Sequence, residues 1–200
     1  MSEDTPIEKP QRPRASAAVS PDGSAVPPAE AGEPAAEPKP ASPLQPLLDE
    51  AVALIREAVG EDAIEEAYVN ELGSEAPTLI VRPEYLLRTA ELFKDHASLS
   101  CRYLRNVSGV DYETHLEVVY HLVNLETGEN YTIKARADRQ DPIVDSVTPV
   151  WETANWNERE IYDLLGVQFK GHPDMRRIMM PDDWVGYPLR KDYEPLDPEV

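Results

Sequence analysis

Residues 171–193 read GHPDMRRIMMPDDWVGYPLRKDY, and most of the side chains in this chain that could do chemistry gather in or beside that run. His172 and Asp174, as His-Pro-Asp, could place two metal ligands close together on a loop. Asp182 with Asp183, and Glu158 with Glu160, offer the paired carboxylates that acid–base catalysis uses. Each reading then lacks its second half. A metal site needs further ligands, and His96, His115 and His121 bring no HxxxH spacing to His172. Asp182-Asp183 follows Pro181 as turn residues do. No Ser or Cys stands in a nucleophile motif. The nine glycines are scattered, without GxGxxG or GxxxxGK[ST], which argues against a bound nucleotide. The expectation is a chain with no catalytic, cofactor-binding or metal-ligating residues of its own.

The cations point elsewhere. Arg176, Arg177, Arg190 and Lys191 stand in a chain whose formal charge is −19. That charge repels phosphate backbones and makes nucleic acid a poor partner. From Glu158 to Glu194 there are 6 basic and 8 acidic residues, so the segment is mixed rather than basic. Mixed charge with Trp, Tyr, Met and Arg is the composition of protein interfaces. Arg forks also pair with carboxylates and carbonyls, and can hold irregular chain on its own domain. Sequence leaves both uses open.

The elements that must position this run read as α+β, with a mainly antiparallel sheet packed with helices. Residues 1–46 hold 11 of the 20 prolines and no aromatic residue, the composition of a disordered tail. Residues 47–150 form the α+β domain. LLDEAVALIREAVG places Leu47, Leu48, Ala51, Leu54, Ile55 and Ala58 on one helical stripe. AIEEAYVNELG and PTLIVRP read as strands. Pro83 opens a helix that buries Leu86, Leu87, Ala90 and Phe93. Three strands follow, with Leu116, Val118, Tyr120 and Leu122 on one face of the second and a turn at Gly128 before the third. Cys101 sits among apolar neighbours and reads as a buried structural thiol. Residues 151–200 hold a helix with Asn155 as N-cap, Glu158 completing a capping box, and Trp156, Ile161, Leu164 and Leu165 as its apolar positions. Gly166 ends it. The prolines beyond forbid regular helix or central strand and predict an extended C-terminal arm. No apolar run approaches the ~18 residues of a membrane span. The N-terminus has no signal core, and it is too acidic for a transit peptide. A soluble protein that reaches a membrane only through a partner is expected.

The run from Asn155 to Tyr193 resembles the signature of the 30-kDa-type subunit of respiratory complex I, NADH:quinone oxidoreductase. The matching residues are Glu158, Arg159, Glu160, Asp163, Gly171, His172, Pro173, Arg176, Arg177, Ile178, Pro181, Asp183, Trp184, and Pro188, Leu189, Arg190, Lys191, Asp192 and Tyr193. Many members carry His before Pro188, where this chain has Tyr187. The resemblance implies a non-catalytic structural and assembly subunit of the hydrophilic arm. FMN, the Fe–S clusters and quinone would lie in partner subunits. It implies contact with the 49-kDa-type and 20-kDa-type subunits, made by the matching residues and Tyr187, on the cytoplasmic face of a bacterial membrane. The equivalent subunit of a membrane-bound hydrogenase or another electron-donor complex shares the scaffold. A free-standing enzyme using His172 with Asp174 or Asp182 is the reading from a different class.

Overall fold

The computed structural model describes residues 42–71 and 75–194, and the expectation of a disordered tail over residues 1–46 falls almost wholly outside them. Helix α1 (Gln45–Ala58) opens two residues before Leu47, with Pro46 in its first turn, where the missing N–H costs no hydrogen bond. It buries Leu48, Ala51 and Ile55. Strands β1 (Ile64–Asn70) and β2 (Ala76–Val81) follow, then a 3-10 turn at Pro83–Tyr85 that leads into α2 (Leu86–Asp95). Its buried face is Leu86, Thr89, Ala90 and Phe93. Thr89 takes the place expected of Leu87, because its hydroxyl donates back to Tyr85 O at 2.9 Å and so enters the core paired. Leu87 packs at the core's margin.

Strands β3 (Tyr103–Asp111), β4 (His115–Val123) and β5 (Asn130–Asp138) complete a five-stranded sheet of order β1-β2-β5-β4-β3. Every pairing in it is antiparallel except β2 with β5. Leu116, Val118, Tyr120 and Leu122 are all buried. Phe93 meets Tyr131 edge-on at 5.4 Å between ring centroids. Cys101 is fully buried beside them, and burial pushes its thiol up to about 12, so it remains an unreactive thiol at neutral pH. Gly128 turns the β4–β5 hairpin at φ +79°.

After β5 the chain adds β6 (Ile143–Asp145), α3 (Ala154–Leu165) and β7 (Gln168–Lys170), with β6 and β7 paired in parallel as a separate ribbon. Helix α3 lies over β3 at Gly109. A Cβ there would come within 2.5 Å of Leu165 and 2.9 Å of Ile161, so only glycine lets the helix approach so closely.

The start of α3 differs from expectation. The helix begins at Ala154, its N-cap is Thr153 without a side-chain cap bond, and Glu158 closes no capping box. The reason lies in the next turn. Glu158 points into the protein, where it serves the loop between β6 and α3. Trp156, expected among the apolar positions, is 64% exposed. Ile161 and Leu165 are buried, Leu164 partly so, and Trp156 stands on the side of the helix away from them.

Candidate functional site

Helix α3 places two carboxylates five residues apart and points both inward, with no exposed side-chain surface on either. Glu158 holds the loop that leads into the helix. Ser146 Oγ donates to Oε2 at 2.6 Å, Thr148 Oγ1 donates to Oε2 at 2.9 Å, and Val147 N–H donates to Oε1 at 2.8 Å. Burial raises its pKa, and these donors offset the rise only in part.

Asp163 holds the loop that leaves the helix. Its Oδ2 accepts three successive backbone N–H groups, from Ile178 (2.9 Å), Met179 (2.6 Å) and Met180 (3.0 Å). Arg177 donates to Oδ1 at 2.8 Å. Burial again works against the charged form, but here the Met180, Met179 and Ile178 N–H groups and the Arg177 guanidinium outweigh it, and the pKa is lowered. The Arg-Arg-Ile-Met-Met run is therefore a cradle of donors closed around one carboxylate.

The remaining pins follow along the same run. Arg159 Nε donates to Arg176 O at 3.2 Å and lies over the Trp156 ring at 4.8 Å. Arg190 Nε donates to Leu165 O at 2.7 Å, at the carbonyl end of α3. Leu189 N–H reaches Leu164 O at 3.0 Å. The Tyr187 ring sits between Arg190 (4.9 Å) and Arg177 (5.6 Å) and against Gly166. Gly166 has φ +79°, and a Cβ on it would stand 2.6 Å from the ring, so both its conformation and its smallness are used. Lys191 N–H donates to Asp111 Oδ2 at 2.9 Å, and Arg139 bridges Asp111 to Asp192. Burial raises the Asp111 pKa, but the Arg139 bond and the Lys191 and Glu113 N–H groups win and bring it down to about 2.

His172 is also committed to its own chain. Its ring is buried, Nε2 faces Asn155 O at 3.3 Å, and Nδ1 accepts the Asp174 N–H at 3.0 Å. Burial lowers its pKa, which keeps it neutral, and one ring proton on Nε2 satisfies both contacts. Asp174 pairs with Arg176 at 3.0 Å. Both ring nitrogens and the Asp174 carboxylate are thereby occupied. Among the described residues no group of three or more His, Cys, Asp or Glu is placed to hold a metal ion.

The expected contact residues thus divide into two sets. Glu158, Arg159, Asp163, His172, Arg177, Tyr187, Pro188, Arg190 and Tyr193 are buried or half-buried and face their own domain. Glu160, Gly171, Pro173, Arg176, Pro181, Asp183, Trp184, Leu189, Lys191 and Asp192 are exposed. Exposed with them are apolar side chains from the pinned run: Met179 at 61%, Trp184 at 40%, Val185 at 75% and Leu189 at 60%. The run is irregular, as its prolines predict, but it does not lead away from the domain between Arg176 and Tyr193. Asp111 and Arg139 were not among the expected site residues. Asp111 bonds Lys191 from 80 positions earlier, and nothing local in the strand announces that.

Together these features define a class: an α+β chain that displays an irregular, apolar-tipped surface rigidly fixed from beneath. Residues 79–199 match the family described as the 30 Kd subunit of respiratory-chain NADH dehydrogenase. The C subunit of the NADH-quinone oxidoreductase of Geotalea uraniireducens (strain Rf4) is 41% identical over 152 residues, spanning 74% of this chain and 89% of that one. Among solved structures, the trypsin-resistant fragment (1-134) of Nqo5 is 29% identical with a TM-score of 0.50, covering 66% of this chain and 98% of the fragment. A chain of the membrane-bound sulfane sulfur reductase, an archaeal respiratory membrane complex, is 25% identical with a TM-score of 0.57, covering 74% and 86%. The chain belongs to the 30 kDa subunit family of respiratory-chain NADH dehydrogenase, an oxidoreductase complex. Among the described residues no helix is long and apolar enough to cross a membrane.

Proposed function

We propose that this chain is a non-catalytic structural and assembly subunit in the hydrophilic arm of NADH:quinone oxidoreductase. Electron transfer from NADH through FMN and Fe–S clusters to quinone is then carried by other subunits. In this reading the chain is peripheral, on the cytoplasmic face of a bacterial membrane, and meets the 49-kDa-type and 20-kDa-type subunits through the 171–193 surface. One observation carries the reading. The run is held from beneath by Asp163, Arg177, Arg190 and Asp111, while Met179, Trp184, Val185 and Leu189 remain exposed. Apolar side chains held in place before binding suit an obligate interface, because little ordering entropy is left to lose on association.

The test is a double substitution, Trp184→Glu with Val185→Glu, at two exposed positions that supply none of the pins. The expected result is loss of the tagged protein from the complex on native gels and loss of membrane NADH:quinone activity. The isolated protein should keep its denaturation midpoint. An intact complex with full activity would overturn the reading.

The likeness to a chain of the sulfane sulfur reductase supports a second reading, in which the same scaffold serves an assembly with another electron donor. Proteins that co-purify with this chain from detergent-solubilised membranes separate the two: an NADH-oxidising flavoprotein among them supports the first reading, and its absence the second.

A further inference from the structure

The sheet face turned away from the core carries a second feature, which meets the 171–193 surface only at Asn106, beside Leu189. Asn106, His121, Thr132 and Thr78 are directly paired across β3, β4, β5 and β2, so they stand in one row on one face. Their strand neighbours Val107, Tyr120, Tyr131 and Ile133 belong to the core, which places the row on the opposite side. The register of β3 shifts between Leu104 and Asn106, so that Arg105 and Asn106 together oppose His121. A bulge of this kind re-aims a side chain and is frequent beside functional sites. Here it brings Arg105 to the rim of a depression of about 350 Å³ whose lining includes Asn106, His121, Asn130 and Thr132.

The lining has a composition the rest of the chain does not. The chain carries 38 acidic residues against 19 basic ones, yet no Asp or Glu lines this depression. Lys134, one step along β5 on the same face, is neutralised by Glu117 at 2.9 Å. Arg105 has no hydrogen bond or ion pair among the described residues. Around it stand groups that donate: the Asn106 amide, the second N–H of the Asn130 amide, whose first goes to Gly128 O at 3.1 Å, the Thr132 hydroxyl and the His121 ring, whose Nδ1 lies 3.5 Å from that hydroxyl. Burial first, then the Arg105 and Lys134 charges, lower the His121 pKa, so the ring is neutral and offers one N–H.

A planar guanidinium without a partner, ringed by neutral donors, matches a carboxylate in geometry and in charge. We propose that this depression receives an Asp or Glu side chain from an extended acidic segment of a neighbouring subunit, with Arg105 as its ion partner and Asn106 and Asn130 bonding the segment's backbone. The proposal rests on the assembly reading above; the depression shares Asn106 alone with the cleft that Glu160 and Leu189 line. An acidic protein segment fits better than an anionic lipid surface. The chain's charge of −19 opposes a broad anionic plane, whereas one inserted carboxylate feels mainly what lies within a Debye length of ~8 Å.

The test uses the assembled complex. A photo-crosslinking residue replaces Asn106 in one preparation and Val185 in a second, and crosslinked peptides are identified by mass spectrometry. The expected result at 106 is a crosslink to a segment of another protein containing Asp or Glu. Adding Arg105→Glu should cut its yield at least about tenfold. A crosslink at 106 to a segment without acids, a crosslink to lipid, no crosslink at all, or a yield unchanged by Arg105→Glu would each overturn the proposal. The Val185 preparation keeps the two readings apart. Crosslinks there with none at 106 sink only this inference, while silence at Val185 sinks the assembly reading itself.

Discussion

Glu158 and Asp163 differ more than their shared helix suggests. Both are wholly buried, both project inward from α3, and each fastens one loop. Their pKa values nevertheless move in opposite directions. The difference lies in the donors. Glu158 is bound by two hydroxyls and one N–H, all neutral, and hydroxyls can also accept. Asp163 is bound by three N–H groups and a guanidinium, none of which can accept a hydrogen bond. Three N–H groups and a guanidinium outweigh the burial of Asp163, whereas the neutral donors around Glu158 do not outweigh its own. The entry loop is therefore held by an exchangeable network. The exit loop, which carries the exposed apolar tips, is held by one that only a carboxylate satisfies.

The largest effect that could break this comparison comes from Asp163→Asn. With its oxygen kept on the three N–H groups, the amide would turn its NH2 hydrogens toward the Arg177 guanidinium and leave that cation without its ion partner. A loss of about 3–5 kcal/mol is expected in urea unfolding. Amides 178–180 should exchange far faster in hydrogen-exchange measurements. Glu158→Gln should cost only about 1 kcal/mol, since the amide oxygen can keep the Val147 N–H while its NH2 donates to both hydroxyls, which can turn and accept. Equal costs for the two substitutions would mean that donor chemistry is not what distinguishes the loops.

The pH dependence sharpens the same contrast through opposite slopes. Asp163 has a folded pKa below its unfolded value. Its stabilisation is present above the ordinary carboxylate range and is lost as pH falls through the lowered folded value. Glu158 has a folded pKa above its unfolded value. Its contribution is fully present below the ordinary range and is lost as pH rises through the raised value. The stability difference between wild type and Asp163→Asn should therefore grow from acid toward neutral pH, and that for Glu158→Gln should shrink. Two parallel curves from denaturant titrations at a series of pH values would refute the assignment.

How far sequence reached follows the same physical divide. Strands β1 to β5, the two helices packed with them and the Gly166 stop were legible, because apolar periodicity and glycine conformations are local properties; the three-residue β7 was too short to show a period. The family signature was legible because nineteen residues between Asn155 and Tyr193 match its pattern in order and spacing. The inward turn of Glu158 was not. Its spacing from Asn155 fits a capping box as well as an internal clamp, and the choice depends on Ser146 and Thr148 arriving from another element. The division of the signature into pinned and exposed residues was hidden for the same reason. Arg177 and Arg176 are adjacent in sequence, yet one reaches Asp163 and the other pairs with Asp174 in solvent.

The smallest test concerns Tyr187, where many family members carry His. Its ring touches the Asp163 side of the system: it covers Gly166 and lies over Arg177 and Arg190. Each cation–ring contact contributes about 0.5–1 kcal/mol. Tyr187→Ala should therefore cost about 1–2 kcal/mol in urea unfolding. Tyr187→His keeps a flat ring against Gly166 and should cost less than about 1 kcal/mol near neutral pH. Below the imidazole pKa near ~6.5 the cost should rise, because a charged ring between two guanidinium groups repels both. The Glu158 donors supply the control, since amide exchange at Val147 should be unmoved by either substitution while exchange at 178–180 accelerates. Matched acceleration in both loops would mean that Tyr187 supports α3 as a whole rather than the exit loop.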